Sequence, residues 1–454
     1  MSKLAADAVI CGAGIAGISV AYHLAVRRGF KRVVLVDERA PLSLTSDKST
    51  EAYRNWWPGP GDEMVRFMNR SIDLLEELAR ESENRFLMNR RGYVFLTADG
   101  DTARRMQEQA TDTSRLGAGP LRVHPGATPY LPAPAEGYEG QPEGADLLLD
   151  AQLIQEHFLF VSSDAAALLH PRRCGWLSAQ QLGMYLLQQA RACGVELLTG
   201  RVREVEVKQG RVRAVQVDDR RIATGAFVIA AGPLLANVGR LTGVELPVFN
   251  ELHGKISFDD YLGVIPRSAP LMIWNDPLRL LWSEEEREEL AADDETRWLV
   301  ETFPAGVHFR PEGGEHSSTL LGLWTYDVEV MEPSWPPRFE PFYPEIILRG
   351  LARMAPGLAD YVGRLRNLYV DGGYYCKTRE NRPLVGPLPV EGAYVIGALS
   401  GYGIMASQAA AELLAAHVCS GSLPDYAPAF ELARYDDPAY QALLDNWDSG
   451  AGQL

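Results

Sequence analysis

A glycine-rich segment close to the start of this 454-residue chain constrains its fold more than any other feature. The segment reads GAGIAG, occupies Gly12–Gly17, and directly follows an apolar stretch at 7–11 that is typical of a buried strand. An apolar helical pattern continues to about Arg28, and a second strand-like stretch, VVLV, occupies 33–36. A strand, a glycine-rich turn, a helix and a second strand in this order predict a Rossmann-like α/β unit.

The spacing of the three glycines predicts a binding site for a dinucleotide. Gly12 permits a tight turn, Gly14 lets the backbone approach a pyrophosphate, and Gly17 lets the helix pack closely on the strand. The helix N-terminus presents backbone amides to phosphate oxygens, and those of Ile15 and Ala16 are the candidates here. The alternative is a glycine-rich turn that binds nothing, which the flanking strand and helix disfavour.

An acidic residue follows at the distance that this motif requires. Asp37 ends the second strand, twenty residues after Gly17, where its carboxylate would accept hydrogen bonds from ribose hydroxyls. Glu38 is the alternative, since a shift of one residue in register exchanges the two. The N-terminal unit by itself leaves both FAD and NAD open as the cofactor.

Two later segments have the same apolar composition as the N-terminal third of the chain. The stretch AFVIAAG at 226–232 reads as a buried strand, and GAYVIGAL precedes a last helix that begins near Tyr402. Between about 246 and 345 the chain alternates strand-like and turn-rich segments, which indicates a second domain, and an acidic helix begins there at Ser283 with Glu286 in capping-box position. The expected organisation is a dinucleotide-binding domain at 1–90, 165–245 and 362–435, a substrate domain at 91–164 and 246–361, and a C-terminal tail at 436–454.

Charge and cysteine content argue against several classes of protein. Sixty acidic and 44 basic residues give a net charge of −16, and no basic cluster could follow a phosphate backbone, so we expect no nucleic-acid partner. The five cysteines lack C-x-x-C spacing, which argues against a zinc site or a disulfide framework and favours a cytoplasmic location. The early strand leaves no room for a signal peptide, and no apolar run reaches the roughly 18 to 20 residues of a transmembrane segment.

Six segments, in order along the chain, carry a resemblance to a known family. They are GAGIAG, ERAPLSLTSDKSTEAYRNWW directly after Asp37, TGRVREV, VIAAGPLLANV, GGYYCKTRENRPLVGP and GALSGYGIMAS. Over nearly its whole length the sequence resembles the FAD-dependent family of D-amino-acid oxidase, glycine oxidase, sarcosine oxidase and dimethylglycine dehydrogenase. The resemblance implies FAD as the cofactor, a discontinuous Rossmann-like FAD-binding domain and an antiparallel-sheet substrate domain.

The most specific match is C-terminal. It follows the family's pattern Y-x-x-T-x-D-x-x-P-x-x-G, with Tyr375, Thr378, Pro383 and Gly386 in register and Glu380 in place of the aspartate. This agreement in spacing favours the family over other dinucleotide-binding proteins.

The resemblance also implies which residues contact FAD. Beyond the GAGIAG loop and Asp37 or Glu38, they are Lys48, Ser49, Thr50, Val202, Ala231, Gly232, Leu234, Gly401, Tyr402, Gly403, Ile404 and Met405. Val202 would hold adenine through its backbone, and Leu234 replaces the tryptophan that is usual there. Gly401 and Gly403 would let the backbone approach the pyrimidine end of the flavin, where a helix N-terminus stabilises the negative charge of the reduced ring.

The family's chemistry is oxidation of a carbon–nitrogen bond. The resemblance therefore implies hydride transfer from an amino acid or N-alkyl amine to flavin N5, giving an imine that water hydrolyses, with no need for a metal. It makes Arg54 the candidate carboxylate anchor and Tyr375 a candidate substrate-facing residue, and His253 lies near a histidine of the dimethylglycine dehydrogenase branch. The alternative for Arg54 is a structural arginine. The alternative for Tyr375 is an ordinary strand tyrosine, and that for His253 is a histidine packed in the core.

Two positions predict that FAD is bound non-covalently. Gly373 stands where sarcosine oxidase-like members carry the cysteine that bonds the flavin, and Glu51 stands near the histidine that does so in the dimethylglycine dehydrogenase branch. Cys376 is close by, but strand alternation need not direct it at the flavin.

The electron acceptor is O2, a quinone or an electron carrier. Oxidases resembling sarcosine oxidase hold a lysine above the flavin, whereas here no lysine occurs between Lys255 and Lys377, and Met405 replaces another flavin-proximal lysine. This favours slow reaction with O2 and a dehydrogenase-like enzyme. Lys48, Lys255 or Lys377 folded into the same place, or a protonated His253, would supply the charge instead.

Two other functions compete with amine oxidation. One is a flavin hydroxylase or NAD-linked enzyme, but hydroxylases of related architecture carry a G-D-A turn where this chain has SGYG at 400–403. The other is a non-catalytic FAD-binding subunit, which would carry the same motifs without turnover.

Overall fold

The computed structural model describes residues 4–126, 129–314 and 316–447, which form a six-stranded sheet, a nine-stranded sheet and smaller elements around them. In spatial order the strands of the six-stranded sheet are Glu196–Thr199, Val33–Asp37, Ala8–Cys11, Phe227–Ile229, Ala393–Gly397 and Leu384–Pro387. The first five are parallel and the sixth is antiparallel. The predicted Rossmann-like unit is confirmed, and it is discontinuous because strands from both ends of the chain lie side by side.

This sheet is buried on both faces. The helices on one face are Ile15–Tyr22, Glu63–Glu81, Ala179–Ala192 and Gly403–Val418. A four-stranded sheet of Leu4–Ala5, Arg220–Ala223, Arg211–Val217 and Val202–Lys208 covers the other. Successive residues of a strand point to opposite faces, so Ile10 packs among the helices while Val9 packs against the smaller sheet. Burial on both faces explains why these strands are continuous apolar runs.

The nine-stranded sheet forms the second half of the molecule. Its strands in spatial order are Tyr369–Lys377, Phe249–Asp259, Thr319–Leu323, His308–Pro311, Leu271–Trp274, Tyr93–Thr97, Ala167–Pro171, Ala145–Leu148 and Leu121–His124. Most neighbours are antiparallel, as expected for the substrate domain, but two neighbouring pairs are parallel, so the sheet is mixed. Two of its strands, Ala167–Pro171 and Tyr369–Lys377, come from segments that the expected boundaries assign to the dinucleotide-binding domain.

The two faces of the nine-stranded sheet have different roles. On strand Phe249–Asp259, Ile256 and Phe258 pack into a core with the helix Tyr343–Met354. His253 and Lys255 alternate with them and face the other way, toward the first half of the molecule. Polar side chains are thus directed into the space between the two sheets.

The remaining elements are short. Strand Ala52–Arg54 pairs with Cys174–Trp176, and Leu278–Arg279 pairs with Thr302–Phe303; the other helices are Gly100–Thr113, Ala151–His157, Leu235–Arg240, Glu284–Ala292 and Pro438–Leu444. The predicted capping box is confirmed: the Glu286 N–H donates to Ser283 Oγ at 3.2 Å, and the Ser283 N–H donates to the Glu286 carboxylate at 2.7 Å. None of the helices within the described ranges is both long and apolar enough to cross a bilayer.

Three buried histidines predict a loss of stability at mildly acidic pH. Burial lowers the pKa of His23 and His308 to about 4 and that of His170 to about 3, from an ordinary value of 6.5. Below pH 6.5 the unfolded chain binds protons that the folded chain does not, so the free energy of unfolding should fall as the pH drops from 6.5 to 4. The expected loss at pH 5 is about 2 kcal/mol per histidine.

Thermal melts between pH 7.5 and pH 5 test this expectation. Tm should fall by several degrees over this range, and His170→Gln should reduce the pH dependence even if it lowers Tm overall. A Tm that stays constant from pH 7.5 to pH 5 would contradict the assignment of neutral, buried histidines.

Candidate cofactor and active site

A cleft of about 460 Å³ lies at the carboxyl ends of the parallel strands of the six-stranded sheet. Cys11, Asp37 and Gly397, which end three of these strands, all line it. Tyr374 and Tyr375, on the edge strand of the nine-stranded sheet, line the opposite wall. Ligands of open α/β sheets bind at this edge.

The glycine loop in the cleft leaves no space for side chains. Gly12 has a φ of +113°, and a Cβ there would lie 2.3 Å from the carbonyl oxygen of Ala230. A Cβ on Gly17 would lie 1.8 Å from the carbonyl oxygen of Gly12, so the helix packs directly on the turn. The loop therefore presents backbone to the cleft, as close approach of a pyrophosphate requires.

Polar groups surround the N-terminus of the helix Ile15–Tyr22. The N–H of Ile15 donates to Ser46 Oγ at 3.0 Å, and the N–H of Ala13 donates to the Asp37 carboxylate at 2.7 Å. The second oxygen of Asp37 accepts from the N–H of Arg39 at 2.9 Å. Backbone amides and a hydroxyl at a helix N-terminus suit a pyrophosphate, and a carboxylate at the end of the second strand suits a ribose. These residues fit a dinucleotide such as FAD.

Most of the predicted cofactor contacts line the cleft. They are Gly12, Gly14, Ile15, Ala16, Asp37, Glu38, Ser49, Val202, Ala231, Gly232, Leu234, Gly401, Gly403 and Ile404. The fold brings together positions that are separated by nearly 400 residues of sequence.

Five predicted contacts lie outside the lining of the cleft. They are Gly17, Lys48, Thr50, Tyr402 and Met405. Lys48 instead pairs with Asp371 at 2.5 Å, and the Tyr402 hydroxyl donates to the carbonyl oxygen of Asn381 at 2.6 Å. Met405 is buried in the helical core. Their neighbours in sequence line the cleft, whereas Gly17 packs on the backbone of Gly12 and the side chains of Lys48, Tyr402 and Met405 make other contacts.

Sequence analysis missed several residues of the cleft. A short helical turn, Thr45–Asp47, brings Thr45 and Ser46 to its lining, and Thr45 Oγ1 donates to the carbonyl oxygen of Tyr374 at 2.9 Å. Arg39 lines the cleft as well. The sequence signal for these residues was the pair of hydroxyl side chains, Thr45 and Ser46, shortly before the predicted contacts at 48–50.

Tyr375 closes one end of the cleft against the SGYG turn. A Cβ on Gly401 would lie 2.5 Å from the Tyr375 ring, so only glycine allows this packing. The helix Gly403–Val418 begins at the same turn and directs its positive end toward this part of the cleft. Tyr375 is buried, and the ring of His253 stacks on it with centroids 4.0 Å apart and planes 18° apart.

A buried ionic network holds His253 in that stack. His253 Nε2 lies 3.3 Å from the Glu251 carboxylate, and Lys377 Nζ donates to the same carboxylate oxygen at 2.9 Å. On its other side, His253 Nδ1 lies 2.8 Å from Thr325 Oγ1. Burial lowers the pKa of His253; burial by itself would raise that of Glu251, but hydrogen bonds from His253 and Lys377 hold its pKa below the ordinary value. His253 does not line the cleft and acts on it through Tyr375.

Arg54 lies outside the lining of the cleft and is buried between aromatic rings. Its guanidinium carbon lies 4.8 Å from the centre of the Trp57 ring and 5.7 Å from that of Tyr93, and 6% of the residue is exposed. Burial lowers the pKa of Arg54 and raises that of Tyr93, and the pKa of Tyr93 has smaller contributions from Arg54 and Tyr375. Tyr93 therefore lies within electrostatic range of the predicted anchor and the predicted substrate-facing tyrosine.

His308 is a further polar group near Arg54 that sequence analysis missed. Its Nδ1 donates to the carbonyl oxygen of Gly306 at 2.8 Å, so in the neutral ring Nε2 carries the lone pair. Burial lowers its pKa to about 4, with smaller contributions from the positive charges of His253 and Arg54. A single histidine in a strand gives no sequence signal that its side chain lies near another candidate site residue.

Lys255 supports the wall of the cleft from behind. Its Nζ donates to the carbonyl oxygens of Asp47 at 3.1 Å and Ser49 at 3.4 Å. Burial lowers the pKa of Lys255. The lysine does not itself line the cleft, but Ser49 does.

We expect FAD to be released intact when the protein is denatured. A Cβ on Gly373 would lie 3.0 Å from Lys48 Cβ, so a cysteine there would be crowded, and burial raises the pKa of the Cys376 thiol to about 12. A thiol that stays protonated is a poor nucleophile. Acid precipitation should leave all yellow colour in the supernatant, and colour retained in the washed pellet would refute the prediction.

The fold and this cleft define the class of the protein: a dinucleotide-binding oxidoreductase with a second sheet that closes over the cofactor. Residues 7–417 match the sequence profile of the DAO family, FAD dependent oxidoreductases, and the chain belongs to that family. Its cofactor is accordingly FAD. Within the described ranges, no group of three or more His, Cys, Asp or Glu side chains is arranged to hold a metal ion.

Solved structures share the fold at low sequence identity. L-proline dehydrogenase from P. horikoshii aligns with a TM-score of 0.74 at 17% identity, covering 96% of this chain and 98% of that one. Glycine oxidase from Geobacillus kaustophilus gives 0.72 at 17% identity, covering 95% and 99%. Iminodiacetate oxidase from Chelativorans sp. BNC1 gives 0.69 at 19% identity, covering 93% and 98%. No curated protein matches the chain by sequence.

Proposed function

We propose that this FAD-dependent oxidoreductase oxidises the carbon–nitrogen bond of an amino acid or N-alkyl amine to an imine. The observation that carries the proposal is the buried guanidinium of Arg54 between the rings of Trp57 and Tyr93. Trp57 in turn contacts the ring of Tyr402 in the SGYG turn, and Tyr375 packs on Gly401 of the same turn. A guanidinium between aromatic rings suits a carboxylate on a molecule that is otherwise apolar. The solved structures of like fold include enzymes named for proline, glycine and iminodiacetate, which are all amino acids with an amine to oxidise.

Several residues of the chain orient the substrate, each through a different contact. Bound FAD supplies the electron acceptor, which takes a hydride from the carbon next to nitrogen. Arg54 holds the carboxylate, and the rings of Tyr93 and Tyr375 exclude water and fix the plane of the substrate. The lone pair on His308 Nε2 would accept a hydrogen bond from the amino group, which becomes a stronger donor as loss of the hydride builds positive charge on nitrogen. The network behind His253 keeps Tyr375 in position.

A screen of flavin bleaching tests the proposal. The oxidised protein is mixed without oxygen with primary, secondary and tertiary amino acids, and with amines that lack a carboxylate. We expect loss of absorbance near 450 nm, a general property of oxidised flavins, with at least one carboxylate-bearing amine. If none bleaches the flavin of a folded, FAD-loaded protein, the proposal fails and a non-catalytic FAD-binding subunit is the better description.

We propose further that the enzyme passes its electrons to a quinone or carrier protein and reacts slowly with O2. Lys48 and Lys377 are neutralised by ion pairs with Asp371 and Glu251, and Lys255 is turned to backbone carbonyls. None of these three lysines therefore presents its charge to the cleft in the way that the lysine of sarcosine oxidase-like oxidases does. Stopped-flow mixing of reduced enzyme with air-saturated buffer should show slow reoxidation. Reoxidation that is complete within a fraction of a second would overturn the proposal. Kinetics of the Lys255→Met variant would then show whether Lys255 is responsible for the fast reaction with O2.

A further inference from the structure

The connection between strand Thr319–Leu323 and helix Tyr343–Met354 reaches from the nine-stranded sheet to the cleft. We call its residues 326–342 the strap. At its start, the N–H of Met331 donates to the carbonyl oxygen of Asn250 at 2.9 Å, which ties the strap to the sheet. From there the strap turns toward the cofactor cleft.

Trp335 is the residue of the strap that reaches the cleft walls. Its ring meets the Tyr374 ring edge-on, with centroids 5.7 Å apart and planes at 78°. The neighbouring Ser334 Oγ lies 3.2 Å from the Tyr374 hydroxyl. On the other side, the guanidinium carbon of Arg39 lies 4.8 Å from the centre of the Trp335 ring.

The two partners of Trp335 belong to opposite walls. Arg39 lines the cleft just after strand Val33–Asp37 of the six-stranded sheet, whereas Tyr374 lines it from strand Tyr369–Lys377 of the nine-stranded sheet. The half-buried Trp335 does not itself line the cleft. Its indole therefore joins the two walls from outside the space where the dinucleotide binds.

We propose that Trp335 is a clasp that slows the release of FAD. For the walls to part, the indole must give up either the cation–π contact with Arg39 or the edge-on contact with Tyr374. The clasp holds the cofactor without touching it, by keeping its two walls together. This inference rests on FAD occupying the cleft and is independent of which amine the enzyme oxidises.

The rate of FAD release from Trp335→Ala tests the clasp. The purified, FAD-loaded protein is diluted, and the rise in flavin fluorescence is followed as free FAD appears. We expect release about tenfold faster than from the wild type, and a Kd for FAD, titrated into apoprotein, that rises by a similar factor. Trp335→Phe keeps an aromatic ring between the walls and should release FAD within about threefold of the wild-type rate.

A second tryptophan offers a matched control. Trp282 also stacks on an arginine, with the Arg349 guanidinium carbon 3.8 Å from its ring centre, but it does not line the cleft or contact its walls. Trp282→Ala should leave the release rate unchanged. Equal acceleration by both alanine variants, or none with Trp335→Ala in a protein of unchanged Tm, would overturn the clasp.

A variant in the opposite wall covers the case in which Trp335→Ala does not fold. Arg39→Gln removes the guanidinium from the indole and leaves the strap intact, so faster release is expected from it as well. Unchanged release from Arg39→Gln would then overturn the proposal. Failure of the amine screen would not alter these rates, so the two outcomes are separable.

Discussion

Replacing Arg54 with alanine should lower kcat/KM for the best amino-acid substrate by about 30- to 1000-fold, which corresponds to roughly 2–4 kcal/mol of lost transition-state stabilisation. The reason is the position of the guanidinium, which is buried between the rings of Trp57 and Tyr93 and is therefore screened little by water. A charge-assisted, bidentate contact with a carboxylate is strong in such a place. Steady-state kinetics on FAD-loaded protein measures the effect.

Two comparisons separate an anchor from a structural arginine. Arg54→Lys keeps the charge but loses the planar pair of donors, so its loss should lie between wild type and alanine. An amine substrate without a carboxylate should lose little in either variant, because it never used the anchor. If Arg54→Ala changes kcat/KM for the amino acid by less than threefold, or affects both kinds of substrate equally, the anchor lies elsewhere.

Gly17→Ala should abolish FAD binding, so that the variant purifies without colour. The added Cβ would lie 1.8 Å from the carbonyl oxygen of Gly12, and backbone on both sides of this contact leaves no flexible group to give way. Relief requires the helix Ile15–Tyr22 to move off the turn, which removes the amides that face the pyrophosphate. The ratio of absorbance at 450 nm to 280 nm, before and after incubation with excess FAD, measures the loss.

Gly403→Ala is the matched control for that substitution. Like Gly17, Gly403 lies in the first turn of a helix, but a Cβ there would lie 3.6 Å from its nearest neighbour, Leu399 Cβ, and its φ of −57° suits any residue. We expect this variant to retain FAD. A Gly17→Ala protein that holds FAD as the wild type does would show that the tight packing of the glycine loop is not required.

The N-terminal unit was predictable because its determinants are local. The apolar strand, the glycine loop and Asp37 lie within 31 consecutive residues, and each position is fixed by the geometry of one strand–helix–strand unit. The helix start at Ser283 was similarly predictable, since the serine side chain accepts a hydrogen bond from the backbone amide of Glu286, three residues on.

The nine-stranded sheet was not predictable in the same way. Whether Ala167–Pro171 joins this sheet or the six-stranded one depends on its partners Tyr93–Thr97 and Ala145–Leu148, and short apolar strands pair with whichever edge tertiary packing offers. The sequence also did not show which way the Lys48 side chain points. It forms an ion pair with Asp371 and points away from the cleft. That choice depends on a carboxylate more than 300 residues away in sequence.

The order of strands in the six-stranded sheet has a consequence for how the protein is made. Ala8–Cys11 is synthesised more than 200 residues before one of its neighbours, Phe227–Ile229, which in turn pairs with Ala393–Gly397. The helix Ile15–Tyr22 likewise packs against the helix Gly403–Val418, which is synthesised much later. Sheets built from such distant segments form slowly, and their unpaired edges and apolar faces stay exposed during synthesis. The lining of the cofactor cleft is therefore complete only once strand Ala393–Gly397 and the start of helix Gly403–Val418 have been synthesised, because both contribute residues to it.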